Sequence, residues 1–180
     1  PGKPTWVPLT LGLLSALAGL YFAGTSTSDF VAHLDREVHA VHCSVVPGAD
    51  ADVGESGCRT VMLSPYSSFF RVDFWGGIPI SLWAIAVFAF LASRFGHLLF
   101  RGKATKGECG FLLASALLPV LMSGIYANIA LNEVGAFCAT CSGIYGASIG
   151  VFLASLIAVI ISENAPRTFK PAGHVQRYAL

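Results

Sequence analysis

Residues 136–161 read AFCATCSGIYGASIGVFLASLIAVII, a stretch without a single charged side chain. About 20 apolar residues cross the hydrocarbon core of a bilayer as a helix, so this segment is long enough to span. Working outward from it, three further stretches have comparable character: about Val7–Ala23, Ile78–Leu99 and Gly110–Leu131. All four are read as helices, because isolated strands would leave backbone groups unpaired in lipid. Pro119 predicts a kink in the third, and Arg94 can snorkel its guanidinium from the second to the surface. The expected fold class is an all-α integral membrane protein, a four-transmembrane-helix bundle.

Composition leads to the same class. The 180-residue chain is 54% hydrophobic and 12% charged, against about 25% charged in an ordinary soluble domain. That leaves too little polar surface to cover a globule, and the apolar content excludes disorder. A net charge of +1 provides no counterion-release footprint, so no nucleic acid is expected as a partner. A short apolar N-terminal stretch can be a cleaved signal peptide. Here it lacks a strongly basic leading region and three spans follow, so it is read as a membrane helix.

The charges orient the bundle. Lys3 precedes the first span, Arg94, Arg101, Lys103 and Lys106 lie between the second and third, and Arg167, Lys170 and Arg177 follow the fourth. Acidic residues dominate the segment from Ser28 to Gly77, with Arg36, Arg59 and Arg71 as its basic residues. By the positive-inside rule both termini and the short basic loop are cytoplasmic, and loop 28–77 and the Asn132–Gly135 connection face outward. Residues 1–162 are therefore expected to form the membrane domain, with 163–180 a cytoplasmic tail or a linker to a further domain. An outer loop of about 50 residues exceeds what a connection needs, and such loops usually carry function.

Under this topology four of the five cysteines lie on the oxidising face. Cys43 and Cys58 are in the outer loop, and Cys138 and Cys141 form a CxxC at the outer end of the fourth span; Cys109 lies at the opposite end. Residues three apart on a helix share a face, so Cys138 and Cys141 point into one pocket, with Cys141 a turn deeper. A helix N-terminus favours a thiolate and lowers the pKa of Cys138. Such a pair suits transfer between aqueous thiols and a lipid-soluble acceptor; the same spacing also suits a static disulfide. A Cys43–Cys58 disulfide closing a loop of about 15 residues could contribute roughly 3 kcal/mol. That structural role and a redox role are both open, and two dithiols on one face could exchange through mixed disulfides. His33, His39 and His42 lie near Cys43, but the group lacks the second half of a zinc site, and no metal is assigned.

The ordered features resemble the vitamin K epoxide reductase family, particularly its bacterial members. They are a first span, an outer loop with Cys43 and Cys58, Ser64 six residues after the second cysteine, Gly77-Ile78-Pro79 at the entry to span two, and Cys138-Ala-Thr-Cys141 with Tyr145 four residues on. The resemblance covers about Leu9 to Ile161. It implies a four-helix bundle around a quinone, ubiquinone or menaquinone, capped by a partly helical periplasmic loop. It also implies redox disulfides Cys43–Cys58 and Cys138–Cys141. Cys43 would exchange with a periplasmic thioredoxin-like (DsbA-like) protein, separate or fused beyond Leu180. Cys58 would pass electrons to Cys138, and Cys141 would sit against the quinone. Ser64 and Tyr145 would line the quinone site, although Ser64-Pro65 also suits a helix cap and Tyr145 ordinary packing. Two departures fall in the outer loop: a longer Cys43–Cys58 spacing and an insertion at about 69–76, around Arg71 to Trp75.

The expected activity is a thiol–quinone oxidoreductase of the bacterial inner membrane that supports disulfide formation. A DsbB-type thiol oxidase carries its CxxC in the first outer loop, the reverse of the order here. A transporter would need polar intramembrane groups along a path, where the spans offer Asn128 and scattered serines. A membrane anchor would hold its cysteines as static disulfides, insensitive to quinone.

Overall fold

The computed structural model describes residues 5–34, 61, 64–70, 73, 77–135 and 138–162. Cys43 and Cys58 with their expected disulfide, His39, His42 and the tail from 163 onward lie outside the described residues. Helix α1 is Trp6–Leu34, α2 Ile80–Arg101, α3 Lys106–Ile129 and α4 Ala139–Ile161. All four are long and apolar enough to cross a membrane. Between α1 and α2, strand β1 (Ser68–Phe69) pairs antiparallel with β2 (Ile78–Pro79), Ser68 opposite Pro79 and Phe69 opposite Ile78.

Four of the helix ends that differ from the sequence reading do so for a plain local reason. Helix α1 continues past Ala23 to Leu34, into the expected loop. Its polar stretch contains no proline, and Thr25 and Thr27 donate their hydroxyls to the Phe22 and Ala23 carbonyls, while Asp29 and Phe30 are buried. Hydropathy marks where lipid ends; backbone hydrogen bonding decides where the helix ends. Helix α2 starts at Ile80 rather than Ile78, since Ile78 and Pro79 are extended and Pro79 is the N-cap residue at φ −63, ψ 140. Helix α3 continues through a π-helical turn, Ala130–Val134, so most of the expected Asn132–Gly135 connection is helical. It stops at Gly135, whose φ of 67 is a conformation open to glycine. Helix α4 starts at Ala139 rather than Ala136, leaving Cys138 as its extended N-cap residue.

The turn between α2 and α3 is closely specified. Thr105 and Glu108 form a capping box, with the Glu108 N–H donating to Thr105 Oγ1 at 3.3 Å and the Thr105 N–H to Glu108 Oε2 at 2.9 Å. Arg101 donates to the other Glu108 oxygen at 2.6 Å. Replacing Thr105 with Ala removes the cap and should cost about 1 kcal/mol, read as a lower unfolding midpoint in detergent with unchanged helix content.

Helix α1 packs against both α2 and α4, α3 packs mainly against α4, and the contact between α2 and α3 is slight. Hydrophobic transfer does not drive helices together inside lipid, so close packing does, and small residues permit it. The sequence supplies them in register: the Phe95 ring lies where a side chain on Gly12 would be, and the Phe88 ring where one on Gly19 would be. Both pairs are seven residues apart and run in opposite directions, as antiparallel helices require. Gly143 of α4 accepts the Phe22 ring, and Gly150 lies against Ser15, in the same way. Phe88, Leu91, Phe95, Leu98, Leu112 and Val151 fill the interior. The exterior is also apolar, with Leu14 57% and Ile160 72% exposed, as suits a surface solvated by lipid rather than water.

Candidate functional site

The site forms where α4 begins. Cys138 is 3% exposed, and its carbonyl opens the helix by accepting the Ser142 N–H at 3.0 Å and the Ser142 hydroxyl at 2.9 Å. Its Sγ lies 2.9 Å from Thr140 Oγ1. The cysteines stand as thiols, Cys138 just outside the helix and Cys141 half-buried within its first turn. The Cys138 thiol titrates below its ordinary range, chiefly because the Cys141 thiol donates to it. Burial opposes this, while the Thr140 hydroxyl and the N–H groups of Cys141 and Thr140 add to it. These are the unpaired donors of a helix N-terminus, aimed at a sulfur that gains by being an anion.

Thr140 gives this a direct test. Facing a thiolate, its hydroxyl can act only as donor, so Thr140→Val removes a bond made to the charged form. The pH midpoint for alkylation of Cys138 should then rise, and activity should shift to higher pH; iodoacetamide labelling against pH measures the first directly.

Along α4 the positions 138, 141, 145 and 148 follow a three-four-three spacing and lie on one face. All four line a cavity of about 550 Å³. Across it, α3 presents Ser123 and Tyr126, α2 presents Trp83 and Phe88, and α1 presents Phe30. The hydroxyls of Ser123 and Ser148 are hydrogen-bonded at 2.9 Å. The lining is overwhelmingly apolar; the cysteine sulfurs lie at the start of α4, and hydroxyl groups come from α3 and α4 and also from Ser26, Ser81 and the roof residues Ser64, Tyr66 and Ser67. The side between α2 and α3 is open: Trp83, Leu118 and Met122 line the cavity and are also exposed, so this opening faces lipid.

The segment before α2 roofs the cavity. Ser64 lines it and donates its hydroxyl to the Val61 carbonyl at 2.7 Å. The Ser67 N–H and hydroxyl return to the Ser64 carbonyl at 3.2 and 3.0 Å. Ser64 thus sits in a turn rather than beginning a helix. The strand pair that follows depends on Gly77, at φ 74, where a Cβ would come within 2.5 Å of the Phe69 carbonyl oxygen. Any larger residue would push the two strands apart. Phe69 and Phe70 complete the rim.

The structure therefore brings Cys138, Cys141, Ser64 and Tyr145 to one cavity. Sequence reasoning did not find Ser148, Ser123, Tyr126 or Trp83. Extending the α4 stripe by one step beyond Tyr145 would have reached Ser148. The residues on α2 and α3 had no comparable signal, since their facing depends on how neighbouring helices are set against one another.

Four spanning helices around a cavity, with a dithiol at the mouth of one helix, make this a membrane-embedded helical dithiol protein. Its residues 10–156 match the model of the vitamin K epoxide reductase family, and the chain belongs to that family. It is accordingly a membrane thiol–disulfide oxidoreductase. The search of curated proteins finds no match.

Proposed function

We propose that the chain oxidises a thioredoxin-like (DsbA-like) protein and delivers the electrons to a quinone, so supporting disulfide formation. The observation that carries this reading is the opening of the Cys138–Cys141 dithiol into an apolar cavity that is itself open to lipid. A volume of about 550 Å³ lies in the range of small-molecule sites, roughly 300–1,000 Å³. Aromatic walls suit a flat ring, and the Tyr145 and Tyr126 phenols offer donors for carbonyl oxygens. The residues present fit a quinone, ubiquinone or menaquinone, which when bound would supply a two-electron, two-proton acceptor.

In this reading each residue has a separate task. Cys43 exchanges with the partner's thiols, and Cys58 then passes the reducing equivalents on. Cys138, held toward the thiolate by the donors around it, is the sulfur suited to exchange with Cys58. Cys141, deeper on the same helix, faces the cavity. Tyr145 orients the ligand by hydrogen bonding, Ser64 shapes the roof turn, and Phe88 and Phe30 exclude water. The membrane is the bacterial inner membrane, with both termini cytoplasmic and the dithiol on the periplasmic side.

An anaerobic assay tests the reading: purified protein, a reduced thioredoxin-like donor and a soluble quinone analogue, followed by quinone absorbance. Catalytic loss of oxidised quinone is the expected result, and no turnover across several donors and quinones would reject it. Tyr145→Phe removes one neutral hydrogen bond, worth about 0.5–1.5 kcal/mol. It should raise KM for the quinone about three- to tenfold while leaving KM for the protein thiol unchanged.

A further inference from the structure

At the deep end of the cavity two buried hydroxyls are arranged with a direction. Ser148, fully buried on α4, donates its proton to the Ile144 carbonyl at 2.8 Å. That return bond to the preceding turn is routine for a helical serine. Ser123, on α3 and 9% exposed, crosses the gap instead and donates to Ser148 Oγ at 2.9 Å. A hydroxyl has one proton and two lone pairs. With both protons committed toward α4, Ser123 Oγ meets the cavity as an acceptor. An acceptor beside an apolar cavity favours a ligand that brings an O–H and disfavours one that brings a lone pair.

We propose that the Ser123–Ser148 pair makes this cavity selective for the reduced, hydroxyl-bearing form of its quinone ligand. The proposal rests on the quinone reading above and goes beyond it. A quinone presents two carbonyl oxygens, both acceptors; the quinol presents two O–H groups. Oxidising the Cys138–Cys141 dithiol to a disulfide releases two electrons and two protons, and the quinone takes up both to become the quinol. Holding the quinol more tightly than the quinone favours flow from thiol to quinone, and a bond to Ser123 Oγ supplies that difference. The relay can also be reversed by substitution. Without the Ser148 hydroxyl, the Ser123 proton has no partner across the gap and can turn to a carbonyl in the cavity.

Binding tests this without turnover. In a redox-inert background, Cys138→Ser with Cys141→Ser, the oxidised and reduced forms of a ubiquinone bearing one isoprene unit are titrated separately. Quenching of the cavity tryptophan, Trp83, reports binding. The background should bind the quinol more tightly. Ser123→Ala should weaken quinol binding about fivefold, the worth of one neutral hydrogen bond, with quinone binding little changed. Ser148→Ala should shift the preference the opposite way, toward the quinone. Equal changes for both forms in Ser123→Ala, or no shift toward the quinone in Ser148→Ala, overturn the proposal while leaving quinone binding intact. If the background binds neither form, the quinone reading falls and the selectivity with it. Both changes delete a single oxygen, so circular dichroism should confirm an intact bundle.

Discussion

Cys141→Ser is expected to abolish thiol-dependent quinone reduction, lowering turnover by roughly a thousandfold or more, as removal of a single essential nucleophile does elsewhere. Serine is nearly isosteric, so the first turn of α4 and its Ser142–Cys138 hydrogen bonds should persist. What is lost is sulfur: an oxygen cannot form the Cys138–Cys141 disulfide through which the proposed electron transfer passes. In this variant the Cys138 thiolate can still attack a Cys43–Cys58 disulfide at Cys58, releasing the Cys43 thiolate, and no Cys141 thiol is present to displace Cys58 from the mixed disulfide. The mixed disulfide should accumulate and be visible by peptide mapping without reductant. Cys138→Ser should be equally inactive but should leave no such adduct. Turnover surviving in Cys141→Ser would show that electrons reach the quinone by another route.

The second large effect falls on the fold. Gly12→Leu is expected to lower the unfolding midpoint in detergent sharply, because the new side chain would need the space held by the Phe95 ring. Phe95 is fully buried and cannot swing aside. Overpacking of this kind costs about 1–3 kcal/mol, with helix separation as the alternative. Gly24, where an added Cβ meets nothing within 4 Å, serves as control, and Gly24→Ala should be nearly neutral. Pairing Gly12→Leu with Phe95→Ala should recover much of the loss, a coupling that residues out of contact do not show. A wild-type midpoint for Gly12→Leu would mean that α1 and α2 do not meet as described.

How legible the protein was varies with the range of the interactions concerned. The α4 stripe was readable because Cys138, Cys141 and Tyr145 are neighbours along one helix, and a three-four spacing places them on one face wherever the helix packs. The exact start of α4 was not readable, because Cys138 takes an extended N-cap conformation that hydropathy cannot register. That three-residue difference matters chemically, since it puts the first sulfur among the helix's unpaired N–H groups rather than inside its first turn. Likewise the glycines at 12, 19, 143 and 150 are ordinary in a membrane sequence. Only their partners, Phe95, Phe88, Phe22 and Ser15, show which ones mark the contacts of α1 with its neighbours.

Sequence alone determined that the chain spans a membrane four times, and that a CxxC lies at the start of the last span. Both follow from local quantities, the cost of unpaired backbone in lipid and the spacing of residues along one helix. Tertiary structure alone decided that the spans leave a cavity where α2 and α3 barely touch, and that Ser123 and Tyr126 face Cys141 and Tyr145 across it. Lipid-facing and cavity-facing positions are apolar alike, so hydropathy cannot tell them apart. The distinction comes from which side chains interlock when the helices pack.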